Sequence, residues 1–431
     1  MTSDESPVVI VGAGLAGLTC AAELHEAGVP VLLLEAEAEV GGRVRTERTS
    51  DGFLIDRGFQ ILLTSYPAQA RQVDLESLDV AAFDAGMLVW TGRRLVPLAN
   101  PFRHPGSIAR DLSSRVITFG DKVRLARLAA EAVRGNWPSA AAAANERAQD
   151  RSTLDALKAR GFSDAFIDRI ARPFWGGVFL ETGLETSEGV FLYTLMTFIK
   201  GQGVLPAAGV GAMPVALAAR LPDGTIRTNA RVTELVREGD RVAAVRLGEE
   251  TVGAAAVVVA TDPWSAKELT GIEAIPTEPR GCVTVYLACD GDPGIGKRIV
   301  VDGTGKARVV NIASLAAIQP TYAPPGQGLI AAVLLGDEAQ EADEATLRAW
   351  ATADVAMMLG RSEVEWRVVS VVRLPHSLYA QPPGIHRRLP GVATGTPGLF
   401  LASEATVDGS ANGAFLGGEA AARAVRMARA G

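Results

Sequence analysis

Histidine, cysteine and long hydrophobic runs are scarce in this chain, and each shortage removes a class of function. Three cysteines (Cys20, Cys282, Cys289) form no C-x-x-C pair, and four histidines (His25, His104, His376, His386) build no cluster of zinc-ligand spacing, so no metal is expected. Cys282 and Cys289 are seven apart in a strand-like run and fall on opposite faces, as inert core thiols in a reducing cytosol do. The longest apolar runs, such as Leu329–Leu335, are far short of a bilayer span. The start, "MTSDESP", is polar and acidic, unlike a secretory leader. Positive charge is also short: a net charge of −7 excludes a general nucleic-acid binder. The expectation is a cytoplasmic protein that is soluble or rests peripherally on a membrane.

Apolar residues are plentiful, 48% against 21% charged, with a mean hydropathy of +0.18. A large buried core follows, and disorder does not. "VVIVGAGLAGLTCAAELHEAGVPVLLLE" reads as buried strand, glycine turn, helix, buried strand. Gly12-x-Gly14-x-x-Gly17 follows the strand and opens the helix, and Glu35 ends the second strand 18 residues after Gly17. In that context the glycines permit a tight turn, close approach of a pyrophosphate, and packing of helix on strand. The helix start attracts phosphate, and Glu35 suits two free ribose hydroxyls. Gly12, Gly14, Leu15, Ala16, Gly17, Glu35 and Ala36 form the expected dinucleotide set. "EVGGRVRT" follows at 39–46, where a nicotinamide dehydrogenase needs nothing. Gly41 and Gly42 let a loop lie against a ligand, and the Arg43 fork either meets a pyrophosphate or locks that loop. A second wall on the diphosphate suits a permanently held dinucleotide, FAD.

Farther on, 225–261 alternates apolar and polar residues around a Glu238-Gly239-Asp240 turn, the pattern of a small antiparallel meander returning to a buried strand. Residues 107–134 and 152–172 have helical spacing. The block 103–134 is basic, which fits a solvated helix face or contact with anionic lipid. The end is strand, glycine-rich loop and helix.

The stretch 8–46 resembles the amino terminus of the flavin-containing amine oxidase superfamily, which includes amine oxidases, protoporphyrinogen oxidases and phytoene desaturases. "RVTEL" with "VVVAT", and "GLFLASEATVDGSANGAFLGGEAAARAV", are similar to its middle and carboxy-terminal flavin segments. The resemblance implies that the Val232 backbone meets adenine and that Glu404 serves the ribityl–pyrophosphate region. Ser403-Glu404 departs from the more usual Gly-Asp. It also implies that backbone N–H groups around Asn412, Gly413 and Ala414 face the flavin. The implied fold is α/β, with a discontinuous Rossmann-type FAD-binding domain (1–98, 204–270, 390–431). An α+β substrate domain (99–203, 271–389) follows, with a mixed sheet and covering helices.

No lysine follows Lys306, and the carboxy-terminal motif has Phe415 as its only aromatic. Both weigh against an amine substrate, since the family's amine oxidases place a lysine near flavin N5 and an aromatic cage. "DRGFQILLTSYP" and "SVVRLPHSLYAQPPG" resemble the phytoene desaturase and protoporphyrinogen oxidase side. The leading expectation is hydride transfer to flavin N5 from a hydrophobic polyene, isoprenoid or tetrapyrrole-like substrate, with quinone or oxygen as acceptor. Two alternatives stand: a peroxide-releasing amine oxidase, and a non-catalytic lipid-binding carrier of the same fold. The apolar stretch 189–206 walls a substrate channel or is core. Asp56, Arg57 and Gln60 line an entrance or a surface loop. The catalytic residue is unknown; Gln60 and His376 are the candidates.

Overall fold

A computed structural model of the chain describes residues 6–99 and 117–430. Part of the basic block, 103–116, lies outside the described residues. At the centre is a five-stranded parallel sheet in the order Ile226–Arg227, Val31–Leu34, Val8–Val11, Ala256–Val259, Leu399–Leu401. Val8–Val11 and Ala256–Val259 are buried at every position, because a parallel sheet is covered on both faces and selects continuous β-branched runs. On one face, Ile10, Leu33 and Val258 pack against Leu18 and Leu24 of helix Leu15–Glu26 and Phe415 and Val425 of helix Ala411–Ala430. The first and last helices of the chain therefore lie side by side. On the other face, Val9, Val257 and Val259 meet Val242 and Val245 of the antiparallel meander Glu234–Glu238, Arg241–Leu247, Glu250–Gly253. That meander is where the alternating pattern places it.

A seven-stranded mixed sheet lies beyond. Its order is Arg367–Tyr379, Pro279–Asp290, Gln327–Leu335, Val309–Ser314, Ile299–Asp302, Gly86–Trp90, Leu95–Ala99. Neighbours are antiparallel except Ile299–Asp302 with Gly86–Trp90. Strands 86–99 thus join this sheet, although a division at residue 98 assigns them to the nucleotide-binding part. Pairing with Ile299–Asp302 decides their place, and that partner leaves no trace in the local sequence. One face is covered by helix Glu344–Leu359, whose Leu347, Ala351 and Val355 meet Val283, Val285, Ile330 and Ala332. The opposite face carries Tyr286, Ala313 and Ala331 against Phe53, Ile55 and Leu205.

Farther along that face, helices Arg172–Phe179 and Glu188–Lys200 contribute Trp175, Phe191, Tyr193 and Met196 to a cluster with Val89 and Val301. The 152–172 block is not one helix. Gly161 (φ +77°) follows the end of Thr153–Ala159, Ser163 Oγ caps the next turn at Phe166 N, and a π-turn covers Ile167–Ala171. All three cysteines are free and buried. Cys282 lies beside Ser377, whereas Cys289 joins the cluster on the other face. Among the described residues, no helix is long and apolar enough to cross a membrane.

Candidate functional site

The first strand ends in a turn that only glycine can make. Gly12 has φ +104°, and a Cβ there would come 2.9 Å from Ala260 O. A Cβ on Gly17 would strike Gly12 O, so helix and turn touch backbone to backbone. Gly14 is the opposite case: a Cβ there meets nothing within 4 Å. It precedes helix Leu15–Glu26, whose start has no side-chain cap. Uncapped N–H groups beside open ground fit an anion, and the residues present therefore fit a dinucleotide pyrophosphate. Glu35 is held at the end of its strand by Ala13 N to Oε2 (2.7 Å) and Glu37 N to Oε1 (2.9 Å). A carboxylate has about four lone-pair sites, so acceptors remain for ribose hydroxyls. Ala36 is half-buried in the same turn. Ala230 N donates to Glu35 O at 2.7 Å and Asn229 N to Glu37 O at 2.9 Å. These bonds bring the Val232 segment beside Glu35. Val232 is buried there.

The second glycine pair abuts the first. Gly41 N donates to Ala13 O at 2.8 Å, and a Cβ on Gly42 would lie 3.6 Å from Gly14 Cα. Arg43 then reaches across the molecule. Its Nη2 pairs with Glu404 Oε1, and Nη1 donates to Ser377 O at 3.0 Å. Burial opposes the guanidinium charge, and Glu404 more than offsets it, so the Arg43 pKa moves above its ordinary value. Of the two roles open to Arg43, the one visible here is the lock. Ser403 Oγ (3.2 Å) donates to Glu404 Oε2, and Tyr379 OH (3.3 Å) to Glu404 O. The loop backbone is braced from the other side by Gln60 Nε2 to Arg43 O (2.8 Å) and Arg57 Nη1 to Gly42 O (3.3 Å).

Three side chains singled out by the sequence have these surroundings. Gln60 also donates to Arg57 O at 2.9 Å, so its amide nitrogen braces the loop. His376 is exposed and stacks on Trp264, with ring centroids 4.6 Å apart, far from the dress of a buried acid–base group. Asp56 lines no entrance. It is buried and accepts from Thr46 Oγ1 (2.6 Å), Val210 N (3.1 Å) and Tyr322 OH (2.7 Å). Burial pushes its pKa up to about 6, against those hydrogen bonds.

At the last helix the N–H groups are divided differently from the expectation. Ser410 Oγ accepts from Gly413 N at 2.9 Å, and Ala414 N donates to Ser410 O at 3.0 Å. Gly413 and Ala414 are therefore satisfied inside the cap, and Ala411 and Asn412 N–H lie ahead of the first intrahelical acceptor. The Asn412 side chain is buried: Oδ1 accepts from Ala68 N (3.0 Å) and Nδ2 donates to Pro138 O (3.1 Å). Ser410 in turn donates to Asp408, which also accepts from Ala140 N at 2.9 Å. Burial raises the Asp408 pKa. The Asp408-Gly-Ser410 run ahead of an apolar helical pattern is an N-cap signal, and it could have disclosed both residues.

Comparisons with known proteins bear on the fold and the family. A solved protein from Exiguobacterium sp. 255-15, assigned as a protoporphyrinogen oxidase, superposes with TM-score 0.74 at 19% identity, over 98% of this chain and 99% of that one. Putrescine oxidase bound to putrescine gives TM-score 0.75 at 16% identity, over 98% and 99%. At these identities the likeness is one of fold. Lysine-specific histone demethylase 1 homolog 3 of Arabidopsis thaliana is 48% identical over 59 residues, 14% of this chain and 4% of that protein. The chain thus spans a small fraction of the length of the curated relatives it matches. The family profile described as flavin containing amine oxidoreductase matches residues 15–426. The chain belongs to the flavin-containing amine oxidoreductase family.

Proposed function

We propose that the chain oxidises a largely apolar substrate, of polyene, isoprenoid or tetrapyrrole-like structure, with quinone or oxygen as the final electron acceptor. The observation that carries this reading is the apolar character of the elements beyond the expected dinucleotide site. Helices Arg172–Phe179 and Glu188–Lys200 bring Trp175, Phe191 and Met196 together with Val89 and Val301 of the sheet. Lys297 and Lys306 sit in exposed turns, so neither supplies the buried lysine an amine oxidation asks for by family resemblance.

FAD supplies the redox chemistry by accepting a hydride. This chain's residues bind and orient. Gly14 and the helix start would receive the diphosphate, and Glu35 the ribose. Arg43, clasped to Glu404, would hold the second glycine loop in place beside them. Ala411 and Asn412 N–H, at the positive end of the last helix, favour negative charge on whatever ring faces them. The aromatic helices exclude water from the substrate side. We also place the boundary between nucleotide and substrate parts before Gly86 rather than at 98.

An amine substrate is the second reading, favoured by the full-length superposition on putrescine oxidase. Anaerobic mixing with a panel of polyenes, porphyrinogens and amines separates them by bleaching of the flavin band. Bleaching by a polyene or porphyrinogen is expected. Bleaching by amines alone overturns the proposal.

A further inference from the structure

The seven-stranded sheet carries one row of side chains across the face that looks toward Phe59. Register places Val372, Thr284, Val333, Asn311, Val301 and Val89 in that row, because cross-strand partners share a face. At one end, Thr284 Oγ1 accepts from Phe59 N at 3.2 Å, which ties the row to the segment that braces the Arg43 loop. Asn311 lies two strands from Thr284, about 10 Å along the sheet. Between them, Val333 is buried yet packs into none of the hydrophobic clusters of the described residues.

Asn311 is the only amide in that row. It is 6% exposed, and its Oδ1 is buried with no partner. Its side chain forms no hydrogen bond among the described residues. Helix Arg172–Phe179 crosses above it with Gly177, where any Cβ would collide with Asn311 Nδ2. A desolvated carbonyl oxygen without a partner is costly, so the unpaired Oδ1 calls for an explanation. The amide nitrogen is directed at the one position of that helix that withholds a side chain, Gly177.

We infer that Asn311 is the specificity-determining residue of the substrate pocket, where its carboxamide hydrogen-bonds a neutral polar group, a hydroxyl or a carbonyl, on an otherwise apolar substrate. The inference rests on the proposed apolar-substrate reading and narrows it to oxygen-bearing hydrophobes. A carboxamide offers one acceptor and two donor hydrogens without charge, and no member of the row is ionisable, so an ammonium finds no counter-ion there. The rest of the pocket supplies apolar contact through Trp175 and its neighbours.

The test uses the FAD-loaded protein and two saturated probes that differ by one oxygen, phytanol and phytane. Binding is followed by tryptophan fluorescence and by the flavin absorbance band. Wild type is expected to bind phytanol roughly tenfold more tightly than phytane, about one hydrogen bond to a buried polar group. Asn311→Leu is expected to retain FAD, to melt no lower than wild type, and to bind the two probes equally; Asn311→Val serves as a second variant of smaller volume. Failure of wild type to prefer phytanol overturns the inference. So does a preference that survives in both variants, or a fall in melting temperature in both, which would mark the amide as structural. Failure of the wider reading is separate: it shows as bleaching by amines alone in wild type, whichever residue stands at 311.

Discussion

Asp56 and His386 are buried in one chain and respond to acid in opposite directions. Burial raises Asp56 to about 6, from about 4 in an unfolded chain. Its native form therefore holds a proton through that window, and stability falls as pH rises from about 4 to about 6, by about 3 kcal/mol. Burial lowers His386 to about 4, only partly opposed by Asp150, from about 6.5 unfolded. Its contribution is fully present above about 6.5 and is lost as pH falls toward 4, again by about 3 kcal/mol. The two slopes oppose each other between pH 4 and 6. Melting curves over pH 4–7 should show that Asp56→Asn, relative to wild type, loses stability more steeply as pH falls. His386→Phe should lose it less steeply, since both ring nitrogens lack partners and an apolar ring replaces them without cost. Parallel pH profiles in all three proteins would show that neither group is shifted.

At the scale of elements, the last helix is pinned at its start by one side chain. Asn412 satisfies Ala68 N and Pro138 O together, so Asn412→Ala orphans the buried Ala68 N–H and leaves the carbonyl of the exposed Pro138 to solvent. The expected cost is about 1–3 kcal/mol in denaturant unfolding, together with a shift in the flavin spectrum as the helix start moves. A loss of stability with an unchanged spectrum would detach the helix start from the flavin environment. The elements of the expected dinucleotide site were legible because their signals are local: glycine spacing after a buried strand, an acid ending the next strand, alternation in the meander. The pairings between elements were not. Arg43 and Glu404 are 361 residues apart, and nothing near either names the other. Strands 86–99 read as an extension of the first segment until Ile299–Asp302 is seen beside Gly86–Trp90. Asn311 had no signal at all, since a lone asparagine in a strand acquires meaning only from the missing partner and from Gly177 opposite.

At the scale of the molecule, the proposed FAD site draws on both the first and the last segments of the fold. FAD held there would stabilise the whole by mass action, about 2.7 kcal/mol at a free concentration 100 times its dissociation constant. Stripping the flavin should lower the melting temperature, and adding FAD back should restore it in proportion to the logarithm of its concentration. A melting temperature indifferent to FAD would mean that the cofactor bridges nothing.

The proposed closure of the dinucleotide site rests on the clasp between Arg43 and Glu404, and the ratio of flavin to protein absorbance in purified variants tests it most directly. Arg43→Ala and Glu404→Gln should each reduce FAD occupancy by roughly tenfold at limiting FAD, as loss of a charge-assisted pair does, while far-ultraviolet circular dichroism stays that of wild type. The double variant should lose little more than either single one, because the two residues act as a pair. Full flavin occupancy in both single variants would contradict the assigned closure.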